Sequence, residues 1–414
     1  MKRAQLESNV LVLVTLALTA FGLVMVYSAT SARAVDGGNG RPMEYLLRQA
    51  LFAGLGLVAL LLAARTPYAF WRRIAPSFLV VSLVLLAGVL LVGQSVNGAR
   101  RWVPLGPFAF QPSELAKLAL AAWVAAYLAR PRRRQPASLA ELAKPLGLVA
   151  GLACVLVLVE PDLGTAVSIV VMLVGILVVA GLPSGLLVLA FSIVAAAGAL
   201  AIWLEPYRRT RFFAFLDPWH DPQGAGFQIV QAMIGLGSGG WLGVGIGHGV
   251  VKVFDLPEAH TDMIFATVGE ELGLVGTAGV ICAYGAFAWA GFRIALACRD
   301  PFGKLLAAGL TVLICGQAAI NLAAVLAIAP LTGITLPFVS YGGSSLIAAL
   351  AAVGILLNIG SADAVGRQAR VRDRGRGDGR SRGAVDRRRR GPEPARRTGD
   401  LRRVAGSARG AARP

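Results

Sequence analysis

The chain has 414 residues, of which 56% are hydrophobic and only 15% are charged, whereas soluble domains carry about 25% charged residues. The apolar surplus lies in long blocks, which excludes an ordinary soluble domain and predicts membrane spans. The net charge of +18 would suit a nucleic-acid partner, but its position argues against one. Residues 363–413 alone contain 17 Arg and six acidic residues and so carry +11 of that charge.

Ten apolar blocks of about 16–28 residues follow one another, each close to the ~20 residues that cross a bilayer. We therefore predict an all-α integral membrane protein of about ten transmembrane helices, with residues 1–364 as its polytopic domain. The first block lacks a small-residue cleavage site, so it is interpreted as a helix and not as a signal peptide. The predicted spans are 10–29, 47–64, 76–93, 113–129, 144–159, 164–182, 184–203, 263–290, 305–328 and 342–359.

The orientation follows from Lys and Arg in the short loops, which favour the cytoplasmic side. With ten spans, the basic loops and both termini fall on that one side. The opposite, extracytoplasmic side holds residues 94–112 and the long loop 204–262 between spans seven and eight. These two loops are too long and too rich in polar and aromatic residues to be simple connectors, so we place the chemistry there.

Residues 365–414 are rich in Arg, Gly, Asp and Ala and have almost no large apolar residues. Such a segment cannot bury enough surface to fold. We predict a disordered, Arg-rich cytoplasmic tail that is attracted to anionic lipid headgroups. A role in binding nucleic acid is the alternative, and no specific nucleic-acid partner is expected.

Five arginines lie in the outer loops, against the positive-inside tendency. Two interpretations of these cations stay open: contact with anionic headgroups of the outer leaflet, or binding of a phosphate ester through the forked guanidinium donors. The residues are Arg100, Arg101, Arg208, Arg209 and Arg211.

Asp262 ends the long outer loop, in the string His260-Thr261-Asp262. A carboxylate at the membrane boundary can act as a general base, although an acidic residue before an apolar run can also cap a helix. Glu270 and Glu271 follow inside the apolar span, where carboxylates are costly unless they are paired or hydrated. They are therefore candidates for a functional role or for a structural pair.

Glu114 and Lys117 open span four and can meet on one helix face because they are three residues apart. The pair is either an internal ion pair with Lys117 reaching toward the interface, or a cation that faces an anionic substrate and is held by Glu114. The outer turn Glu160-Pro161-Asp162 could bind a divalent cation, or it could be an ordinary turn with a helix cap.

Ser340 and Ser344 flank the glycines of the string Ser340-Tyr341-Gly342-Gly343-Ser344, whose hydroxyls could cap span ten or bind a ligand. No Walker lysine, no HExxH and no CxxC is present, so we expect no nucleotide or redox cofactor. Four cysteines lie in or at the ends of apolar stretches and are expected to form neither a disulfide nor a metal site. They are Cys154, Cys282, Cys298 and Cys315.

Several strings together resemble the SEDS family, the membrane peptidoglycan polymerases FtsW, RodA and SpoVE. They are NGARRWVPLGPFAFQPSELAK, EPDLGTA, FLDPW, LPEAHTDMIFATVGEELG and PLTGITLPFVSYGGSS. The resemblance covers roughly residues 10–360 and leaves out the tail. The strings LPEAHTD and GLGSGGWLGVGIG are most similar to FtsW, the division member.

The resemblance implies an inverting glycosyl transfer on lipid II, in which a sugar 4-hydroxyl attacks an anomeric carbon and undecaprenyl pyrophosphate leaves. In that reaction Asp262 matches the essential acid of the family and is the expected catalytic base. Arg100, Arg101 and Lys117 are expected to stabilise the pyrophosphate, with Glu114 orienting Lys117. Trp102 is expected to pack against the substrate or to anchor its loop.

The remaining expectations also rest on the resemblance. His260, Ser340 and Ser344 complete the predicted substrate-binding residues, and Asp162, Asp217 and Glu270 are supporting residues. A divalent cation, Mg²⁺ or Mn²⁺, is expected, with Asp162 or Asp262 as its possible ligand.

The expected partners, besides lipid II, are a class B penicillin-binding transpeptidase and other divisome membrane proteins. The expected location is the bacterial cytoplasmic membrane, at the division septum. A lipid II flippase and a non-catalytic scaffold for the transpeptidase are the alternative functions.

Overall fold

The computed structural model describes residues 2–35, 42–96, 99–106, 108–130, 139–250 and 259–362. Most of these residues are helical. In chain order the helices are α1 (Lys2–Val35), α2 (Pro42–Arg65), α3 (Tyr68–Val92), α4 (Pro112–Leu128), α5 (Leu139–Val159), α6 (Leu163–Val179), α7 (Ser184–Leu204), α8 (Pro206–Leu216), α9 (Phe227–Ser238), α10 (Ile264–Ala297), α11 (Pro301–Val325) and α12 (Gly343–Ala362). The predicted tail lies outside the described residues.

Each predicted span overlaps one of these helices, and α1, α3 and α10 extend beyond the predicted bounds by up to eight residues. Among the described residues, six helices are long and apolar enough to cross a membrane, namely α1, α2, α3, α10, α11 and α12. Helices α4 to α7 occupy the other four predicted spans, and the apolar stretches of α5 and α6 are shorter. A multi-pass helical membrane protein is therefore confirmed, while the count of ten crossings stays a prediction.

Helix α11 lies at the centre of the helical bundle and packs against α10, α6 and α4. Two thirds of its most apolar stretch is buried. Small residues let the helices approach closely: a Cβ on Gly309 of α11 would come within 2.7 Å of the Ile176 side chain of α6. The side chains near the end of α11 at Val325 are consequently held by the most enclosed of the six long apolar helices.

The outer loop 94–112 contains the one exception, among the described residues, to the predicted all-α fold. It forms an antiparallel sheet of β1 (Gln94–Val96), β2 (Ala99–Leu105) and β3 (Phe108–Phe110), in the order β1-β2-β3. Gln94 pairs with Trp102, and Val103 pairs with Phe110. The dipeptide Asn97-Gly98 in the sequence is a strong hairpin signal, and it would have predicted that β1 pairs with β2, although not the register shift between Gln94 and Ser95.

The long outer segment 204–262 also differs from a plain loop, because it contains the short helices α8 and α9. Helix α9 packs against α10, and a glycine-rich stretch follows it. Helix α10 is itself interrupted at Gly273, whose φ of 65° and ψ of −158° are not helical. An interruption inside an apolar helix leaves backbone N–H and C=O groups without helical partners, and lipid cannot supply any.

The glycine-rich stretch, residues 239–245, supplies partners for this break in α10. The N–H groups of Val244 and Gly245 each donate over 3.0 Å to the carbonyls of Glu270 and Glu271. In return, the N–H group of Leu274 donates over 2.9 Å to the carbonyl of Gly240. These bonds supply partners for the broken helix and tie the glycine-rich stretch to α10 on both sides of Gly273.

Gly243→Ala is expected to lower the free energy of unfolding by about 2–4 kcal/mol. Gly243 has a φ of 77°, and a Cβ there would collide with the carbonyl of Glu271. Gly237→Ala is the matched control, because a Cβ on this α9 glycine meets nothing within 4 Å. Thermal unfolding in detergent should show a lower midpoint for Gly243→Ala only, and equal midpoints would contradict the tight fit of the loop.

Candidate functional site

Asp262 lies partly buried in the turn that precedes α10. The Oγ1 hydroxyl of Thr261 lies 3.2 Å from its Oδ1, and its backbone carbonyl accepts a hydrogen bond of 2.7 Å from the Nδ2 amide of Asn321 in α11. The N-cap residue of α10 is Met263, and no side chain caps that helix. Asp262 is therefore not the N-cap residue of α10, contrary to the capping alternative.

The segment between α11 and α12 lies against Asp262. A Cβ on Gly333, which has a φ of 69°, would lie 3.9 Å from the Oδ2 oxygen of Asp262. Asn321 reaches this segment too, because its Nδ2 group donates over 2.7 Å to the carbonyl of Ile334. The carboxylate therefore lies where the turn before α10, the outer end of α11 and the segment 326–342 meet.

His260 and Ser340 take part in building this turn. The His260 ring is buried against Tyr45 and Tyr341, with centroid separations of 5.2 and 5.6 Å, and its carbonyl accepts from the Tyr341 N–H group. The Ser340 hydroxyl accepts from the Leu336 N–H group over 2.8 Å. This geometry favours a structural role for both residues over the predicted contact with substrate.

Ser344 differs from Ser340, since its buried hydroxyl has no hydrogen-bond partner among the described residues. It lies in the first turn of α12, four residues beyond Ser340. A buried hydroxyl without a partner is costly. Of the two predicted serines, Ser344 is the one still available to a bound ligand.

Glu114 and Lys117 form an ion pair of 2.9 Å in the first two turns of α4, as predicted. The side chains are 8% and 1% exposed, so both charges are removed from water. Lys117 has three N–H donors, and only the bond to Glu114 is found for it in the described part of the chain. Burying an incompletely bonded ammonium group costs free energy, which favours the interpretation that Lys117 faces an anionic ligand.

Arg101 is occupied by protein groups rather than open to a ligand. Its Nε donates over 3.2 Å to the carbonyl of Glu160 and its Nη2 over 2.8 Å to the carbonyl of Pro161. Its Nη1 lies 4.0 Å from the Asp162 carboxylate. The residue thus fastens strand β2 to the turn between α5 and α6. Neighbouring Arg100 is exposed and remains the better candidate for the predicted pyrophosphate contact.

Asp162 caps α6, so the turn-and-cap interpretation of its motif is confirmed. Its carboxylate accepts from the backbone N–H and the hydroxyl of Thr165, both over 2.9 Å, and from the Gln111 amide over 3.1 Å. Trp102 is partly buried on the neighbouring strand β2. Asp162 therefore joins the start of α6 to Gln111, which precedes α4.

Glu160, in the outer turn between α5 and α6, is fully buried, and neither carboxylate oxygen has a partner among the described residues. Burial, together with the nearby negative charge of Asp162, raises the pKa of Glu160 from 4.5 to about 8. Glu160 is therefore largely protonated at neutral pH. A neutral carboxyl is a poor ligand for a cation, which argues against the two-carboxylate interpretation of this turn.

Glu160→Gln is expected to gain stability over the unmutated protein as the pH rises. Because the folded pKa of about 8 exceeds the ordinary 4.5, the folded protein binds more protons between these values and loses stability across them. The advantage of Gln should grow by up to about 1.4 kcal/mol per pH unit and level off above pH 8. Unfolding midpoints from pH 5 to 9 test this, with exposed Glu205→Gln as the control; parallel curves for Glu160→Gln and the unmutated protein would contradict it.

Glu270 and Glu271 lie at the break in α10 and not beside Asp262. The Glu270 Oε1 oxygen accepts from the Val250 N–H group over 2.6 Å, and the Ser28 hydroxyl of α1 lies 2.7 Å from both oxygens of Glu271. These contacts support the structural interpretation of the two acids. Asp217 is exposed at the end of α8, and no contact found within the described ranges joins it to the other predicted site residues.

The arginines of α8 are each engaged by the protein. Arg208 donates to the Leu158 carbonyl over 3.0 Å, Arg209 lies 5.8 Å from the ring centroid of Trp203, and Arg211 donates to Gln228 over 3.4 Å. The contact of Arg208 joins α8 to the end of α5. Headgroup contact and phosphate binding both stay predictions for these arginines.

Asn321 is the site residue that reasoning from the sequence missed. It lies inside an apolar span, where a polar side chain is costly and usually has a specific partner, so that position alone could have singled it out. Within the part of the chain that the structure describes, no group of three or more His, Cys, Asp or Glu side chains could hold a metal ion. The candidate residues thus include one partly buried carboxylate in the turn before α10 and one buried ammonium group in α4, and no contact found within the described ranges joins Lys117 to Asp262.

Comparison with known proteins gives consistent results. Residues 8–364 match the model of the FtsW, RodA and SpoVE family of cell cycle proteins. A probable peptidoglycan glycosyltransferase FtsW of Thioalkalivibrio sulfidiphilus is 44% identical over 354 residues, which cover 84% of this chain and 88% of the relative. Stage V sporulation protein E of Bacillus subtilis is 39% identical over 352 residues, covering 84% of this chain and 95% of the relative.

Solved structures show the same likeness. One belongs to a study of how a peptidoglycan synthase complex coordinates polymerization and crosslinking; it is 34% identical, with a TM-score of 0.70, and the match covers 85% of this chain and 97% of the other. The rod shape determining protein RodA of Thermus thermophilus is 32% identical, with a TM-score of 0.63, and the match covers 85% and 95%.

Proposed function

Because the chain belongs to the FtsW, RodA and SpoVE family of cell cycle proteins, we propose that it is a peptidoglycan glycosyltransferase of the FtsW type. It polymerises lipid II into glycan strands at the outer face of the cytoplasmic membrane, for the septal wall. The observation that carries this proposal is the position of Asp262, a carboxylate held by its backbone to the central helix α11 and left partly accessible.

Asp262 acts as the base of the transfer. Its carboxylate takes the proton from the 4-hydroxyl of the acceptor sugar as that oxygen bonds to the anomeric carbon of the donor. The bond from the anomeric carbon to the pyrophosphate oxygen breaks on the opposite side, so the configuration inverts. One positioned base suffices, because only the acceptor hydroxyl has to be activated and the reaction uses no water molecule.

Lys117 stabilises the charge that develops on the departing pyrophosphate. Its ammonium group is buried and held by Glu114, and a fixed cation in a site shielded from water interacts more strongly with an anion than one in solvent does. Exposed Arg100 adds a second cation at the outer surface. Arg101 and Asp162 hold the framework on which these groups stand.

A divalent cation, Mg²⁺ or Mn²⁺, suits this chemistry because it would screen the pyrophosphate. Mg²⁺ is usually held by one or two carboxylates together with phosphate oxygens and water, without a protein cage. Asp162 already accepts three hydrogen bonds, so Asp262 is the better candidate for such a ligand. The described residues fit a cation that arrives with the substrate.

A class B penicillin-binding transpeptidase is the proposed partner, which would crosslink the strands made here. Support comes from the similarity to a chain of a synthase complex that combines polymerization with crosslinking. Other divisome membrane proteins and the division septum are proposed on the strength of the FtsW relatives. Co-purification with the transpeptidase, and a fluorescent fusion that collects at the septum, are the expected results.

The proposed activity is tested by supplying the purified protein, with its cognate transpeptidase, with labelled lipid II and Mg²⁺ or Mn²⁺. Glycan chains resolved on a gel are the expected result. If the complex makes no chains but moves lipid II across liposomes, the protein is a flippase. If it does neither and only activates the transpeptidase, it is a scaffold.

A further inference from the structure

Asn321 connects three parts of the candidate site through one side chain. It lies in the last turns of α11 and is 2% exposed. Its Nδ2 group donates over 2.7 Å to the carbonyl of Asp262 and over 2.7 Å to the carbonyl of Ile334. Both N–H bonds of the amide are therefore used, one on the turn that carries the base and one on the segment 326–342.

The orientation of this amide follows from its partners. Two carbonyl oxygens face it, and only an NH₂ group can donate to both, so the opposite orientation would set three oxygens against one another. The Oδ1 oxygen is consequently turned elsewhere, and it has no partner among the described residues although it is buried. An unsatisfied amide oxygen in an apolar interior reduces folding stability. Stability alone therefore does not explain why an amide side chain is present at this position.

The hydrogen bond from Asn321 restrains Asp262 from α11, a helix other than the one that Asp262 precedes. No side chain caps α10 at Met263, so the helix start does not by itself hold the turn. Helix α11 is the most enclosed of the six long apolar helices and offers a rigid reference. A bond from this helix to the carbonyl of Asp262 restrains the backbone from which the carboxylate projects.

We propose that Asn321 is a positioning residue for the glycosyl transfer, which fixes the backbone of Asp262 and the facing segment 326–342 relative to each other. This inference rests on the proposed function of Asp262. Small displacements of a catalytic group, of about 1 Å, lower the rate of a reaction by about 10²-fold. Loss of the two bonds should therefore act on kcat and leave the affinity for lipid II almost unchanged.

Asn321→Asp keeps the shape of the side chain and replaces the two donors by an oxygen. We expect its kcat for lipid II polymerisation to fall by about 10- to 100-fold, with KM changed by less than about twofold. Asn321→Leu removes the donors without adding a charge, and it should show the same division between kcat and KM. This second variant keeps the test decisive if the acidic one does not fold.

Gln317→Glu is the matched control, because Gln317 is a buried amide one turn earlier on α11 and forms no hydrogen bond within the described chain to Asp262 or Ile334. This variant should lose the same folding stability as any variant with a buried carboxyl group in this helix. Its kcat per folded molecule should equal that of the unmutated protein. Each variant is measured as full-length protein with its partner, after the folded fraction has been determined by size exclusion and thermal unfolding.

The outcomes separate this inference from the function on which it rests. If the unmutated protein makes no glycan, the proposed function fails. If the unmutated protein is active and either folded Asn321 variant keeps its kcat, the inference is overturned. A raised KM with normal kcat would also overturn it, since Asn321 would then serve substrate binding. A smaller folded fraction with full activity per folded molecule would show a structural role only.

Discussion

Asp262→Asn is expected to abolish glycan synthesis, with kcat lowered by about 10²–10⁴-fold, the usual contribution of a positioned base. The substitution keeps the size of the side chain but removes its ability to accept the proton of the sugar hydroxyl. The bond from Asn321 reaches the backbone carbonyl of Asp262, so it survives the change. The variant should therefore fold normally and bind lipid II while making no polymer.

The measurement is glycan chain length on a gel, together with single-turnover rates at saturating lipid II. Glu205→Gln is the control, because Glu205 is an exposed acid in the same segment, 204–262, and is not joined to Asp262 by any contact in the described ranges. Equal polymer from the folded Asp262→Asn variant and the unmutated protein would place the base elsewhere, although the chain would still be a polymerase.

Lys117→Met is expected to lower kcat by about 10²–10³-fold, as the loss of one preorganised group that stabilises a transition state does. Glu114→Gln, which keeps the cation, should cost about 3–5 kcal/mol of stability because it leaves the Lys117 ammonium group buried without its carboxylate. Lys117→Met should carry a similar stability cost, because it leaves the Glu114 carboxylate buried without its cation. Both effects follow from one ion pair that is almost fully removed from water.

The double variant Glu114→Gln/Lys117→Met distinguishes the two roles of the pair. Replacing both partners of a buried ion pair is often close to neutral in stability, so its unfolding midpoint should return toward that of the unmutated protein. Its polymerisation rate should stay as low as that of Lys117→Met. If the double variant regains activity, the pair serves only to hold α4, and the leaving pyrophosphate is stabilised by other cations.

The sequence predicted the parts of this protein that depend on neighbours along the chain. The apolar blocks located the helices because a bilayer requires about 20 apolar residues at each crossing. The spacing of Glu114 and Lys117 predicted their contact, since residues three apart share a helix face. Asp162 was recognised as a possible cap because capping involves residues within one turn.

Other features required the packed structure. Arg101 was expected to bind pyrophosphate, yet it fastens a strand to the turn between two helices. The interruption of α10 at Gly273 could not be read from an apolar run, because what makes it tolerable is a glycine-rich segment about 30 residues earlier. The role of Asn321 likewise depends on carbonyls that lie far from it along the chain.

The physical reason for this division is the range of the interactions. Hydropathy, helix periodicity and capping act over at most a few turns, so a single sequence determined where the long apolar helices lie, the ion pair and the position of the candidate acid at a helix start. Hydrogen bonds between distant segments depend on how the helices pack. Only the tertiary structure decided that the backbone of Asp262 is held by α11, that Arg101 donates to a carbonyl of the turn between α5 and α6, and that Glu270 accepts a hydrogen bond at the break in α10.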